Sequence, residues 1–263
     1  MVTGAAFDDA VAIARSRPSL AVGLHLVLVC GRGALAPSEI PTLVDGAGNF
    51  PLSPVHAGLR YQFSARARGE LRREIREQFR RFRATGLTLS HVDGHLHLHL
   101  HPVVMRMLAE LSRDEAIPVV RLPFEELSTA WAIDRSAWIT KLGWAAIFGR
   151  LRRFGEKKLA AAGVGYADRV YGLFHTGRID ERYLLALLPR IAAKRVEIYA
   201  HPAHELPGEP RNGPPGAGPA ELAALVSPRV KAAMQAGGYV PATFAAFPQD
   251  PAPARTSPGA RSR

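Results

Sequence analysis

The residues best suited to chemistry lie between Leu89 and Pro102. His91, Asp93, His95, His97, His99 and His101 occupy alternate positions there, and five of the chain's ten histidines fall in this one stretch. On a strand, a period of two puts His91, Asp93 and His95 on one side and the aliphatic residues on the other. Gly94 and Pro102 mark where the strand gives way to a loop ahead of the next helix. A carboxylate and several imidazoles at one side of a strand end are donors that zinc and similar divalent ions prefer. The competing reading is a histidine-rich surface loop without a specific ligand; the clustering of so many donors favours metal chemistry.

Two other histidines stand at strand positions. His25 interrupts the apolar run 20–29, which turn residues bound as a strand buried on both faces. An imidazole among aliphatic groups needs a partner, either backbone or a ligand. His201 follows the last clear strand, 195–200, and Arg121 lies at the end of strand 117–122. Reactive side chains of βα architectures collect at the C-terminal ends of strands, so sites remote in sequence can converge. Converged, His25 and His95 could hold a divalent metal that polarises a carbonyl and acidifies a water. His201 could then protonate a leaving amine, and Arg121 could bind an anionic oxygen. Metal-assisted hydrolysis is the reaction class, with no substrate specified. The sequence has no GxSxG elbow, Walker A loop, GxGxxG or HExxH, and Pro202 argues against a helical metal motif in His201–Glu205.

The elements that must carry these residues alternate in type. A helix is expected over 6–17, then the strand within 20–29 and a long Gly- and Pro-rich loop over 31–60. An arginine-rich amphipathic helix follows, with Leu71, Ile75, Phe79 and Phe82 inside and Gly86 ending it. Strand 87–92, helix 103–115, strand 117–122 and one or two helices in 124–162 come next. Trp131, Trp138 and Trp144 share a helical stripe there, expected as core packing, with a groove or membrane-facing patch as the alternative. Strand 169–174, helix 180–194, strand 195–200, a loop over 206–218 and a helix over 219–236 complete the pattern. Such alternation predicts an α/β chain with a parallel sheet or barrel. One large domain over 1–247, followed by a disordered tail over 248–263, fits 263 residues.

A hydrophobic fraction of 47% is ample for a core. The net charge of +11 suggests anionic partners, yet no nucleic-acid module accompanies it. Its concentration on the helix bearing Arg66, Arg72, Arg76, Arg80 and Arg83 reads as a solvated face, with attraction to anionic lipid as the alternative. A single cysteine, Cys30, excludes a disulfide framework and fits a reducing compartment. With no signal peptide and no run long enough to span a bilayer, a cytoplasmic location is expected, peripheral to the inner membrane if lipid is bound.

Val22-Gly-Leu-His25-Leu, Ser90-His91-Val-Asp93-Gly-His95-Leu-His97 and Tyr199-Ala-His201-Pro202-Ala resemble motifs of the YdjC-like carbohydrate deacetylases. The stretches 25–29, 40–45, 95–102 and Arg121-Leu-Pro resemble its hopanoid-biosynthesis-associated (HpnK) branch in particular. The resemblance covers about residues 1 to 247. It implies an irregular, TIM-like (β/α) barrel that removes the acetyl group from an N-acetylated sugar with one divalent ion, Mg2+ or Zn2+. It further implies His25 and His95 as metal ligands, Asp93 and His201 as catalytic groups, and an N-acetylglucosaminyl hopanoid as substrate. A homodimer and peripheral membrane contact are the partner expectations alongside that glycolipid. The family's opening strand, with its Asp-Asp pair, has no counterpart in Met1–Ala10, and Asp8 and Asp9 fall on the following helix. The resemblance therefore implies a chain lacking its first strand, first helix and third ligand. Either a misplaced start or an inactive remnant, metal-binding or membrane-peripheral, accounts for that departure.

Overall fold

The apolar run around His25 contributes a short strand, β1 (Leu24–Leu26), which pairs in parallel with β2 (Val92–Gly94). In this register His25 stands opposite Asp93. The computed structural model describes residues 1–205 and 213–246. The expected loop over 206–218 lies partly, and the expected tail over 248–263 wholly, outside these residues. The chain divides into two compact units: one of 1–120, 154–166 and the residues from 244, the other of 121–153 and 167–243.

In the first unit, β1 gives way after Leu26 to a side chain acting as a strand. The Gln78 amide accepts from the Val27 N–H at 3.0 Å and donates to the Val27 carbonyl at 2.8 Å. The expected strand 87–92 is displaced to β2, and the following residues form a 3₁₀ segment, His95–Leu100, in place of a simple loop. Leu96 and His97 there take positive φ of 49° and 55°, which ends the period-two row after His95. The expected strand 117–122 contributes only single bridges, Val120 with Val92 and Val119 with Gly165.

This unit contains the helices α1 (Phe7–Ser16), α2 (Pro54–Phe63), α3 (Ala65–Ala84) and α4 (Pro102–Leu111). The sequence reading placed the start of α2 inside a loop. Its signal was Ser53-Pro54, a capping serine ahead of a proline at the first helical position; the serine accepts from the His56 N–H. In α3 the apolar stripe is buried as expected, but Glu70, Glu74 and Gln78 are buried beside it. These three anchor the segment 27–42. Glu74 accepts from the N–H groups of Ala34 and Leu35, and Glu70 from the N–H and hydroxyl of Thr42. Arginines on the outer face pair with acids: Arg76 with Asp114, Arg80 and Arg81 with Glu77, Arg72 with Glu110. That basic face is largely neutralised by its own neighbours.

The second unit is built on β3 (Arg169–Tyr171) and β4 (Val196–Ile198), again parallel. Its helices are α5 (Leu127–Ile133), the first part of α6 (Trp138–Ala162), α7 (Glu181–Leu187), α8 (Ala217–Leu225) and α9 (Pro228–Ala236). The helix expected over 219–236 is two helices, because Ser227 caps a new start at Pro228. Tyr171, Ile179, Tyr183, Leu187, Ala224 and Val230 form the core between them. The tryptophans do not join it: Trp131, Trp138 and Trp144 face solvent, against the core-packing expectation. Lys141 and Arg152 occupy the buried side of α6, held by oxygens. Lys141 donates to the Asp134 carbonyl at 2.7 Å, and Arg152 to the carbonyls of Leu122 and Ala167 at 2.7 and 2.9 Å.

Closure of the expected barrel is not detected among the described residues. Among the described residues the ladders form two separate two-stranded parallel sheets rather than one closed ring. Strands of three residues offer few ladder bonds, and side chains such as Gln78 replace strand neighbours.

Candidate active site

The parallel register of β1 and β2 brings His25 and Asp93 together across 68 residues of chain, with Nδ1 of His25 2.9 Å from Oδ1 of Asp93. Asp93 is 5% exposed, whereas the His25 side chain is about one-third exposed. An ionised carboxylate only accepts, so Nδ1 carries the proton and donates. The other ring nitrogen, Nε2, then keeps its lone pair for a proton or a metal ion. His95, the next residue but one after Asp93, places its ring edge-on to that of His25, with centroids 5.8 Å apart at 70°. Gly94 allows this bend: a Cβ there would lie 3.1 Å from the Cβ of His99 and 3.3 Å from the Leu26 carbonyl.

The remaining histidines of the row have other surroundings. The His91 ring lies tilted against Phe244 with centroids 4.4 Å apart, in the space that a Cβ on Gly23 would otherwise enter. The rings of His97 and His99 are inclined at 62°, with centroids 6.1 Å apart, and His99 is wholly buried. His101 caps α4 by accepting from the Val103 N–H at 3.3 Å, and burial lowers its pKa. Alternation in sequence therefore does not become alternation in space, because the left-handed residues turn the chain after His95.

The donor chemistry around His25 suits a divalent ion: two imidazoles side by side, one oriented by a carboxylate as metal-bound histidines commonly are. The set is incomplete, since no three His, Cys, Asp or Glu side chains come together as a metal-holding group among the described residues. Structural zinc takes four ligands, and catalytic zinc three with one open position.

Arg121 and His201 belong to the second unit. Arg121 grips Glu197 through Nε at 2.6 Å and Nη2 at 2.5 Å, and its guanidinium lies over the Tyr199 ring at 5.5 Å. Its cation is thus already matched by a carboxylate. The N–H of His201 donates to the buried Glu221 at 2.5 Å, and its ring stands perpendicular to Tyr199. Burial raises the Tyr199 pKa, and its hydroxyl meets Thr176 at 2.8 Å.

This unit also contains titratable groups that the sequence reading passed over. Glu125 is 3% exposed, and burial pushes its carboxyl up to about 7 while the Phe174 N–H, at 2.8 Å, pulls the other way. His175 is brought down to about 4, chiefly by burial and then by the Lys141 charge, and its ring lies 4.6 Å from that of Tyr183. Glu197 was legible in principle, as an acid inside an otherwise apolar strand needs a cation. Glu125 offered no comparable signal, because it sits in a Glu-Glu pair resembling any exposed turn.

Residues 1–236 match the family model for YdjC-like protein, and the chain belongs to that family. A carbohydrate deacetylase of Brevibacillus brevis is 39% identical over 119 residues, 45% of this chain and 45% of that protein. A mouse carbohydrate deacetylase is 30% identical over 233 residues, covering 83% of this chain and 72% of its own. The chain spans about half the length of the bacterial relative it matches. A crystal structure from Enterococcus faecalis V583, of a protein whose name proposes cellobiose-phosphate cleavage, superposes with a TM-score of 0.66. That alignment is 22% identical, covers 93% of this chain and 85% of the other, and speaks for a shared fold.

Proposed function

We propose that this chain is a carbohydrate N-deacetylase that hydrolyses the acetamide of an N-acetylated sugar at the His25–Asp93–His95 cluster. The observation that carries this reading is the His25 imidazole held by a buried carboxylate beside a second imidazole, in a chain of the YdjC-like family. His25 and His95 would hold one divalent ion, Mg2+ or Zn2+, which when bound polarises the acetamide carbonyl and lowers the pKa of water. Asp93 keeps His25 in the tautomer that presents Nε2. Hydrolysis adds water oxygen to the acetyl carbon and breaks its bond to nitrogen, and the amine departs with a proton. His201 and Arg121, in the second unit, keep the candidate roles that the sequence likeness implies for them, proton donor and contact for an anionic oxygen. The substrate proposed within this class is an N-acetylglucosaminyl hopanoid, following the sequence likeness of residues 95–102 and 121–123.

Acetate release from an N-acetylglucosaminyl hopanoid and from N-acetylglucosamine oligomers, with added Zn2+ or Mg2+ and with chelator, tests the proposal. Turnover that chelator abolishes and His25→Ala removes is expected. Turnover indifferent to chelator refutes the metal role, and none on either substrate refutes the activity. The incomplete donor set favours a second reading, a catalytically inactive chain, which predicts no acetate release from either substrate with any added metal.

A further inference from the structure

Helix α6 has its polarity reversed. Over its first part the buried position belongs to Lys141, 4% exposed, while Trp138, Ile139, Leu142 and Ile147 are 54, 68, 48 and 56% exposed. Ile139, Leu142, Ala146, Arg150 and Arg153 recur at spacings of three and four, so one helical stripe carries apolar side chains and then arginines to solvent. Trp131 on α5 and Trp138 wall an open hollow of about 540 Å3, with Arg135 beside them. A contiguous apolar surface of this kind, rimmed by charge, marks an interaction face rather than scattered surface residues.

Charge identifies the occupant. From Arg135 to Arg153 the sequence holds five cations and no acidic residue. Two of those cations, Lys141 and Arg152, are turned inward onto oxygens, leaving Arg135, Arg150 and Arg153 at the exposed face. Two copies meeting through this face would oppose arginine to arginine on chains of net charge +11, which like-charge repulsion disfavours. An anionic bilayer surface matches it on both counts: indole and aliphatic groups enter the headgroup boundary, and arginines meet lipid phosphate. Most arginines of α3 do not offer this, being paired with acids. No described helix is long and apolar enough to cross a membrane, so the contact is peripheral.

We infer that the exposed face of α5 and α6, centred on Trp138, Ile139 and Leu142 and rimmed by Arg135, Arg150 and Arg153, docks the protein on the surface of an anionic phospholipid bilayer. This inference stands on the second unit alone and holds whatever the substrate.

The full chain is mixed with phosphatidylcholine vesicles with and without phosphatidylglycerol, and binding is followed by flotation and by tryptophan fluorescence. All three tryptophans of the chain lie on these two helices, so the emission reports on this face. Binding and a blue shift are expected only with phosphatidylglycerol, weakening as salt rises. The double variant Ile139→Gln, Leu142→Gln, whose helical fold circular dichroism checks, is expected to bind about tenfold more weakly or worse. Arg150→Glu and Arg153→Glu are each expected to lose about fivefold and to flatten the salt dependence. Failure of the native chain to bind anionic vesicles at low salt overturns the inference, as does binding that neither kind of variant alters. A native dimer in sedimentation that the Gln variant dissolves assigns the face to a second copy instead, and also overturns it.

Discussion

Glu125 and His175 pull stability in opposite directions as pH changes, and single substitutions should separate them. Burial holds the Glu125 carboxyl at about 7 in the folded chain against 4.5 when exposed. Its contribution is fully present below pH 4.5 and is lost as pH rises through 7, because the unfolded chain releases a proton that the folded one retains. The whole change is about 3 kcal/mol. Burial, then the Lys141 charge, holds His175 at about 4 against 6.5. Its contribution is present above pH 6.5 and is lost as pH falls through 4, again by about 3 kcal/mol. Between pH 4.5 and 6.5 the two slopes cancel, so neither shows in the native chain. Glu125→Gln keeps an acceptor for the Phe174 N–H but cannot ionise. Relative to the native chain, this variant should gain about 3 kcal/mol of stability between pH 4.5 and 7. His175→Gln should gain a similar amount, relative to the native chain, as pH is lowered from 6.5 to 4. Urea denaturation followed by intrinsic fluorescence, at a series of pH values, gives both difference curves and removes the titration of unrelated groups. A flat difference curve for either variant would refute the reasoning, since that group would then titrate alike in both states.

Three further outcomes follow from contacts already described. Asp93→Asn presents a group able to donate toward His25 Nδ1, so the imidazole tautomer is no longer imposed, and the Zn2+ affinity that the proposed function requires should fall about 10- to 100-fold by calorimetry; unchanged affinity denies Asp93 that role. Gln78→Ala strips partners from both the N–H and the carbonyl of Val27 in a buried position, and a loss of about 2–4 kcal/mol in denaturant unfolding is expected. Arg121→Ala leaves Glu197 without its guanidinium and should cost about 3 kcal/mol. The double variant Arg121→Met, Glu197→Met should recover most of that, and equal damage in both would show that the ion pair is not what matters.

The helices were legible where periodicity and punctuation agreed: α3 from its apolar stripe and the glycine at 86, α4 from the proline at 102, α1 from the proline at 18. The misses came where a local signal was read as something weaker. Ser53-Pro54 lies within the loop expected over 31–60 yet starts α2, and Ser227-Pro228 divides in two the helix expected over 219–236. The glutamates of α3 were visible as charges among arginines, but nothing local said that Glu70 and Glu74 are buried and hold distant backbone.

By itself the sequence determined the donor types, the alternation of strands and helices and the family likeness, because these depend on residue identity and short-range spacing. Only tertiary structure decided which histidine meets which partner. The β1–β2 register set Asp93 against His25, and two left-handed residues turned His97 and His99 away from that line. It also decided that the tryptophan stripe faces outward. Period alone marks one side of a helix as different, whereas the carbonyls of Leu122, Asp134 and Ala167, supplied from elsewhere in the chain, made the cationic side the buried one.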